Sequence, residues 1–91
     1  MKITEALLDY IISNNVKIEI CVNRAVIRAK GGNLSKTKDG MFLASNGSDC
    51  FYFSSCDVEY IWKNQYGYTI HTKKEEDIDD RFYERKENDY E

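Results

Sequence analysis

Ninety-one residues, 42% hydrophobic and 32% charged, make a single small globular domain, too short for two cores and with little interior from which to carve a deep enzymatic cleft. No apolar run approaches the roughly 20 residues of a membrane span, and Glu5 and Asp9 interrupt the apolar stretch near the N-terminus, so neither a membrane helix nor an export signal is expected and the cytoplasm is the expected location. The net charge of −3 is unevenly spread: residues 1–74 hold ten Lys/Arg and seven Asp/Glu, a net of +3, whereas residues 75–91 hold three basic and nine acidic residues, a net of −6.

The chain opens with a helix predicted over residues 5–13. Thr4 is a suitable N-cap, Ile3 and Leu8 are placed for a hydrophobic staple, and Leu7, Tyr10 and Ile11 recur at helical spacing. Asn14-Asn15 is a left-handed stop signal. The period then changes from 3.6 to 2: Val16, Ile18, Ile20 and Val22 alternate with Lys17, Glu19 and Cys21, as in a half-buried strand. Asn23-Arg24 reads as a tight turn and residues 25–30 as the returning strand, which Gly31-Gly32 breaks or bulges. Residues 33–38 are polar and basic. Asp39-Gly40 is the strongest hairpin signal. Strands are predicted over residues 41–45, 50–54, 58–62 and 66–72, with Asn46-Gly47-Ser48-Asp49 and Lys63-Asn64-Gln65 as connections. Phe51 and Phe53 fall on one side of their strand and Tyr52 on the other.

This pattern predicts an α+β, mainly β fold: a short N-terminal helix, then a five- or six-stranded antiparallel meander or small barrel. The compact domain spans residues 1–74. Residues 75–91 form an acidic C-terminal segment, either a tail or a short docked helix; Ile78 and Phe82 one turn apart, with Asp77 and Arg81 at ion-pair spacing, suit the second.

The three cysteines, Cys21, Cys50 and Cys56, are an odd number and do not read as a disulfide framework. The spacing of Cys50 and Cys56, and a single histidine without a cysteine near it, give no metal-ligand pattern. Gly31-Gly32 precedes no helix and so reads as no phosphate loop. No cofactor and no metal are expected. His71 has no sequence link to Ser54, Ser55 or Cys56, is expected at the surface, and supports no nucleophilic catalysis.

Val16, Ile18 and Ile20, Asn23-Arg24 before Val26, Asp39 with Met41 and Leu43, and Asp57-Val58-Glu59-Tyr60-Ile61 resemble, over about residues 4–62, the strands of Sm-like small barrels. The resemblance implies a helix with five curved strands, RNA binding and ring assembly. Lys38, Phe42 and Ser55-Cys56 depart from that family's pattern, so no RNA-contacting residue is carried over. The opening MKITEALLDYI running into VKIEI, together with the ending EEDIDDRFYERKENDYE, is similar in composition to phage-encoded anti-CRISPR inhibitors. That similarity implies a host-cell cytoplasmic location and a protein partner, a nucleic-acid-binding defence effector, met by carboxylates where it expects phosphates.

Three groups of residues are candidates for binding. Glu75, Glu76, Asp77, Asp79 and Asp80, with Tyr83, place carboxylates at a density suited to mimic a nucleic-acid backbone; the competing reading is a solubilising tail. Trp62, Tyr66 and Tyr68 flank the polar Lys63-Asn64-Gln65 and are of the types enriched in interface hot spots; the competing reading is core filling. Arg24, Arg28, Lys30, Lys36 and Lys38 offer an alternative nucleic-acid surface, against which stands the modest charge of the body. The chain therefore reads as a non-catalytic binding protein that inhibits or modulates a protein partner, with nucleic acid as the alternative partner and homo-oligomerisation left open.

Overall fold

A computed structural model describes residues 3–74; the acidic segment 75–91 lies outside the described residues. Helix α1 spans Ile3–Ser13 and buries Leu8 and Ile11, one turn apart, with Leu7 and Ile12 partly covered beside them. Starting at Ile3, it takes Thr4 inside its first turn, so Thr4 is not the cap. Ile3 is 87% exposed and makes no staple with Leu8. The apolar stripe centres on Leu8 and Ile11, which leaves Tyr10 off it and half exposed. Asn15 ends the helix in the left-handed region, at φ 54°, and Asn14 Nδ2 donates back to the Tyr10 carbonyl at 2.9 Å.

Six strands follow: β1 (Ile18–Val22), β2 (Val26–Lys36), β3 (Phe42–Ser45), β4 (Cys50–Phe53), β5 (Val58–Lys63) and β6 (Tyr68–Thr72). Alternation in β1 buries Ile18, Ile20 and Val22. Asn23 and Arg24, both at positive φ, turn the chain into β2. Gly31-Gly32 bulges β2 without ending it: Ile20 pairs with Arg28 and Ile18 with Gly32, so β2 advances four residues while β1 advances two. Ala29, at φ 53°, and Gly31, at φ 71°, absorb the excess. A Cβ on Gly32 would stand 2.3 Å from the Ser45 carbonyl oxygen, which is why that position takes glycine. Residues 33–36 then continue the strand, because Leu34 is buried and pairs with Ala44 of β3.

The strand order is β4-β3-β2-β1-β6-β5. Strands β1 to β4 form the expected antiparallel meander. β6 then pairs in parallel with β1, between β1 and β5, and every other pairing is antiparallel. The two edges, β4 and β5, are consecutive in the chain and joined by one short 3-10 turn, Ser55–Asp57. A link of that length spans at most about 17 Å, so the six-stranded sheet must curl until its edges approach, although it does not close into a barrel. Ser55 Oγ donates to Glu5 Oε2 at 3.1 Å and ties this turn to α1. The core fills the curl: Leu8 and Ile11 from α1 meet Ile20, Val22, Phe42, Phe53 and Ile70. Phe42 and Phe53 stack with centroids 5.7 Å apart.

The β4 edge is covered by side chains. The Cys50 carbonyl accepts from Arg28 Nη2 at 3.0 Å, and the Tyr52 carbonyl, two residues on and facing the same way, accepts from Lys74 Nζ. Both cations also lie over the Phe51 ring. An edge strand with occupied carbonyls and nearby charges is a poor template for stray pairing.

Candidate functional site

Two features of the sheet carry chemistry, and cross-strand register creates both. On the face of β5 and β6 away from the helix, Tyr60 pairs with His71, His71 with Cys21 of β1, and Cys21 with Ile27 of β2. One step along, Trp62 pairs with Thr69 and Thr69 with Glu19. Tyr60, Trp62 and His71 thus meet. Tyr60 stacks on His71 with centroids 4.2 Å apart, and Trp62 sits 5.4 Å from each of the other two rings. Trp62 stays 61% exposed, while Tyr60 and Ile27 are also exposed. Beside this ledge, Asn64 Nδ2 donates to Thr69 Oγ1 at 2.6 Å, and that hydroxyl donates to Glu19 Oε2 at 3.0 Å. His71 Nδ1 is buried with no hydrogen-bond partner among the described residues.

The second feature is a cleft of about 430 Å³ at the end of the sheet where β1 begins. The loop between β5 and β6 supplies Asn64 and Tyr66, and the start of β6 Tyr68, to one side, the β2 bulge supplies Lys30 and Gly31 to the other, and Lys17, Ile18 and Glu19 lie between. The loop is held firmly. Asn64 Oδ1 accepts from the Tyr66 and Gly67 amides at 2.8 Å each, and the Tyr68 amide donates to the Lys17 carbonyl at 3.1 Å. A Cβ on Gly67 would lie 1.9 Å from that same Lys17 oxygen, so only glycine permits the approach.

The aromatic residues singled out from sequence therefore divide. Trp62 belongs to the ledge, where its companions are Tyr60 and His71, while Tyr66 and Tyr68 face the cleft. His71, expected as a plain surface residue, is half-buried under Tyr60. The part played by His71 was hidden from sequence reasoning because the β5–β6 register, not any spacing along the chain, sets it against Tyr60.

Three of the five basic residues have carboxylate partners. Arg24 meets Glu59 at 3.1 Å, and Lys36 lies 4.0 Å from Asp9. Arg28 grips Asp49 through Nε and Nη2 at 2.9–3.2 Å. That guanidinium, with the Ala29 amide donating to Oδ2 at 2.8 Å, holds the Asp49 carboxyl below the ordinary carboxylate range. Lys30 lines the cleft, and Lys38 sits in the β2–β3 turn; neither has a carboxylate within 4.0 Å among the described residues. The acidic candidates Glu75, Glu76, Asp77, Asp79, Asp80 and Tyr83 lie outside the described residues.

Cys21 is buried, Cys50 and Cys56 are exposed, and all three are free thiols. Among the described residues no group of three or more His, Cys, Asp or Glu is placed to hold a metal, and no helix is long and apolar enough to cross a membrane. Comparison with protein families, with characterised proteins and with solved structures yields no match.

Proposed function

We propose that this chain is a non-catalytic binding protein that docks on a protein partner through the Tyr60–Trp62–His71 ledge and modulates it. The observation that carries the reading is Trp62, 61% exposed yet set against two stacked rings on a regular sheet. Apolar area held rigid before contact loses little entropy on binding, and Trp and Tyr dominate interface hot spots for that reason. The ledge is small, so a second contact is needed for a stable interface. The acidic run Glu75, Glu76, Asp77, Asp79 and Asp80 begins next to Lys74, just beyond β6, the strand that carries His71. In this reading the partner is a nucleic-acid-binding protein whose basic groove receives those carboxylates in place of phosphates.

The test is capture of a partner from cell extract by the full chain and by three variants, followed by titration with the purified partner. Trp62→Ala should weaken binding at least tenfold, about 1.4 kcal/mol or more. Neutralising the five carboxylates should weaken binding and flatten its dependence on salt. Lys38→Ala, remote from both contacts in sequence, should bind as the parent does. Equal capture by the parent and Trp62→Ala removes the ledge from the reading, and salt-independent binding removes the phosphate mimicry.

A further inference from the structure

We propose that the cleft between the β5–β6 loop and the β2 bulge binds a nucleotide unit, an aromatic base together with its phosphate. The residues used are distinct from those of the docking ledge, so the two readings stand or fall separately.

Four features of the cleft converge on that chemistry. First, Tyr66 is 70% exposed although its backbone is pinned by Asn64 Oδ1. With Tyr68 lining the same space, it offers a planar surface on which any base can stack. Second, Lys17 and Lys30 contribute two ammonium groups. Lys17 Nζ donates one hydrogen bond, to Asn33 Oδ1 at 3.1 Å, and an ammonium has three to give. Lys30 has no carboxylate within 4.0 Å among the described residues, so its charge is available to an anion. Third, nothing lies within 4 Å of the place a Cβ would take on Gly31, so the wall of the cleft stays open where backbone and ligand approach. Fourth, Glu19 lines the cleft and is steadied through Oε2 by the Thr69 hydroxyl, which leaves Oε1 to accept a hydrogen bond. A carboxylate at that place favours bases bearing an exocyclic amine, such as cytosine, over uracil.

The volume of about 430 Å³ is near the lower end of the range for small-molecule sites, roughly 300–1,000 Å³, and accommodates one nucleotide rather than several. The same chemistry is offered by a free mononucleotide and by one residue of a single strand.

The experiment is an NMR titration of the full, uniformly 15N-labelled chain at low salt with CMP, with UMP and with a cytidine decamer. CMP should shift amides at Lys17, Gly31, Asn64, Tyr66 and Tyr68, saturating at about millimolar concentration. UMP should bind several-fold more weakly. Tyr66→Ala and Lys30→Glu alter exposed side chains and should each weaken CMP at least fivefold, about 1 kcal/mol, with the remaining spectrum unchanged. A decamer that binds more than tenfold tighter than CMP identifies a single strand as the ligand; equal affinity identifies the free nucleotide; either supports the site. Three results overturn it: no shifts with CMP at about 10 mM or with the decamer, shifts confined to the ledge, or binding that survives both substitutions.

Discussion

Asp49 sits where three demands meet: it neutralises Arg28, accepts the amide of the left-handed Ala29, and ends the turn that Asn46 organises. A non-glycine residue at positive φ costs about 1–2 kcal/mol, and the carboxylate is the hydrogen-bond acceptor that holds Ala29 there. Because its folded pKa is depressed, Asp49 stabilises the fold above its unfolded value, about 3.9, and that contribution is lost as pH falls through the folded value. Asp49→Asn should therefore be less stable than the parent at pH 7, by about 1–2 kcal/mol, and the two should converge as pH falls below about 4 and on through the depressed folded value. Denaturant titrations across that range check it, and a gap that persists at low pH refutes the electrostatic account. His71 makes a second test at this scale. Its ring stacks on Tyr60 while Nδ1 is buried without a hydrogen-bond partner among the described residues. His71→Phe keeps the ring and removes the orphaned nitrogen, so it should be neutral or stabilising; His71→Ala should cost about 1–2 kcal/mol by thermal melting.

Glycine placement decides how the elements meet. Gly67 lets the β5–β6 loop press against Lys17, and a Cβ there would collide with backbone, which cannot move aside as a flexible side chain can. Gly31 has open space around it but a φ of 71°. Gly67→Ala should thus lose about 3 kcal/mol or more and Gly31→Ala only about 1 kcal/mol, compared by urea midpoints; equal losses would show that the close approach relaxes. The elements themselves were largely legible from sequence, since α1, the six strands and the turns at Asn15, Asn23-Arg24, Gly40 and Gly47 follow from period and turn chemistry. Two aspects were not. Residues 33–36 look like loop because their polarity hides Leu34, the one side chain that the core needs. The parallel β1–β6 pair leaves no local mark, because a strand's periodicity states which face is buried and not which neighbour it takes. The ledge depends on the β5–β6 register and the cleft on the β1–β6 pair, so sequence supplied Trp62, Tyr66, Tyr68 and Lys30 but neither their division between two sites nor the place of His71 beside them.

At the scale of the molecule, the apolar core is built between Leu8 and Ile70, all within the positively charged part of the chain. Deleting residues 75–91 should therefore leave the unfolding free energy within about 0.5 kcal/mol of the parent, while the net charge moves from −3 to +3. Urea unfolding with ion-exchange retention checks both, and a larger loss of stability would show that the segment packs on the body. The β1–β6 pairing also has a meaning in time. Ile18 waits for Tyr68, fifty residues downstream, so β1 to β4 can emerge from a ribosome and pair while one side of β1 still lacks its neighbour. At ordinary synthesis rates the stretch from Phe53 to Thr72 takes about 1–4 s to appear. During those seconds the nascent sheet carries an open central edge that the finished protein never shows, and it is then that chaperones or a wrong strand would compete for it.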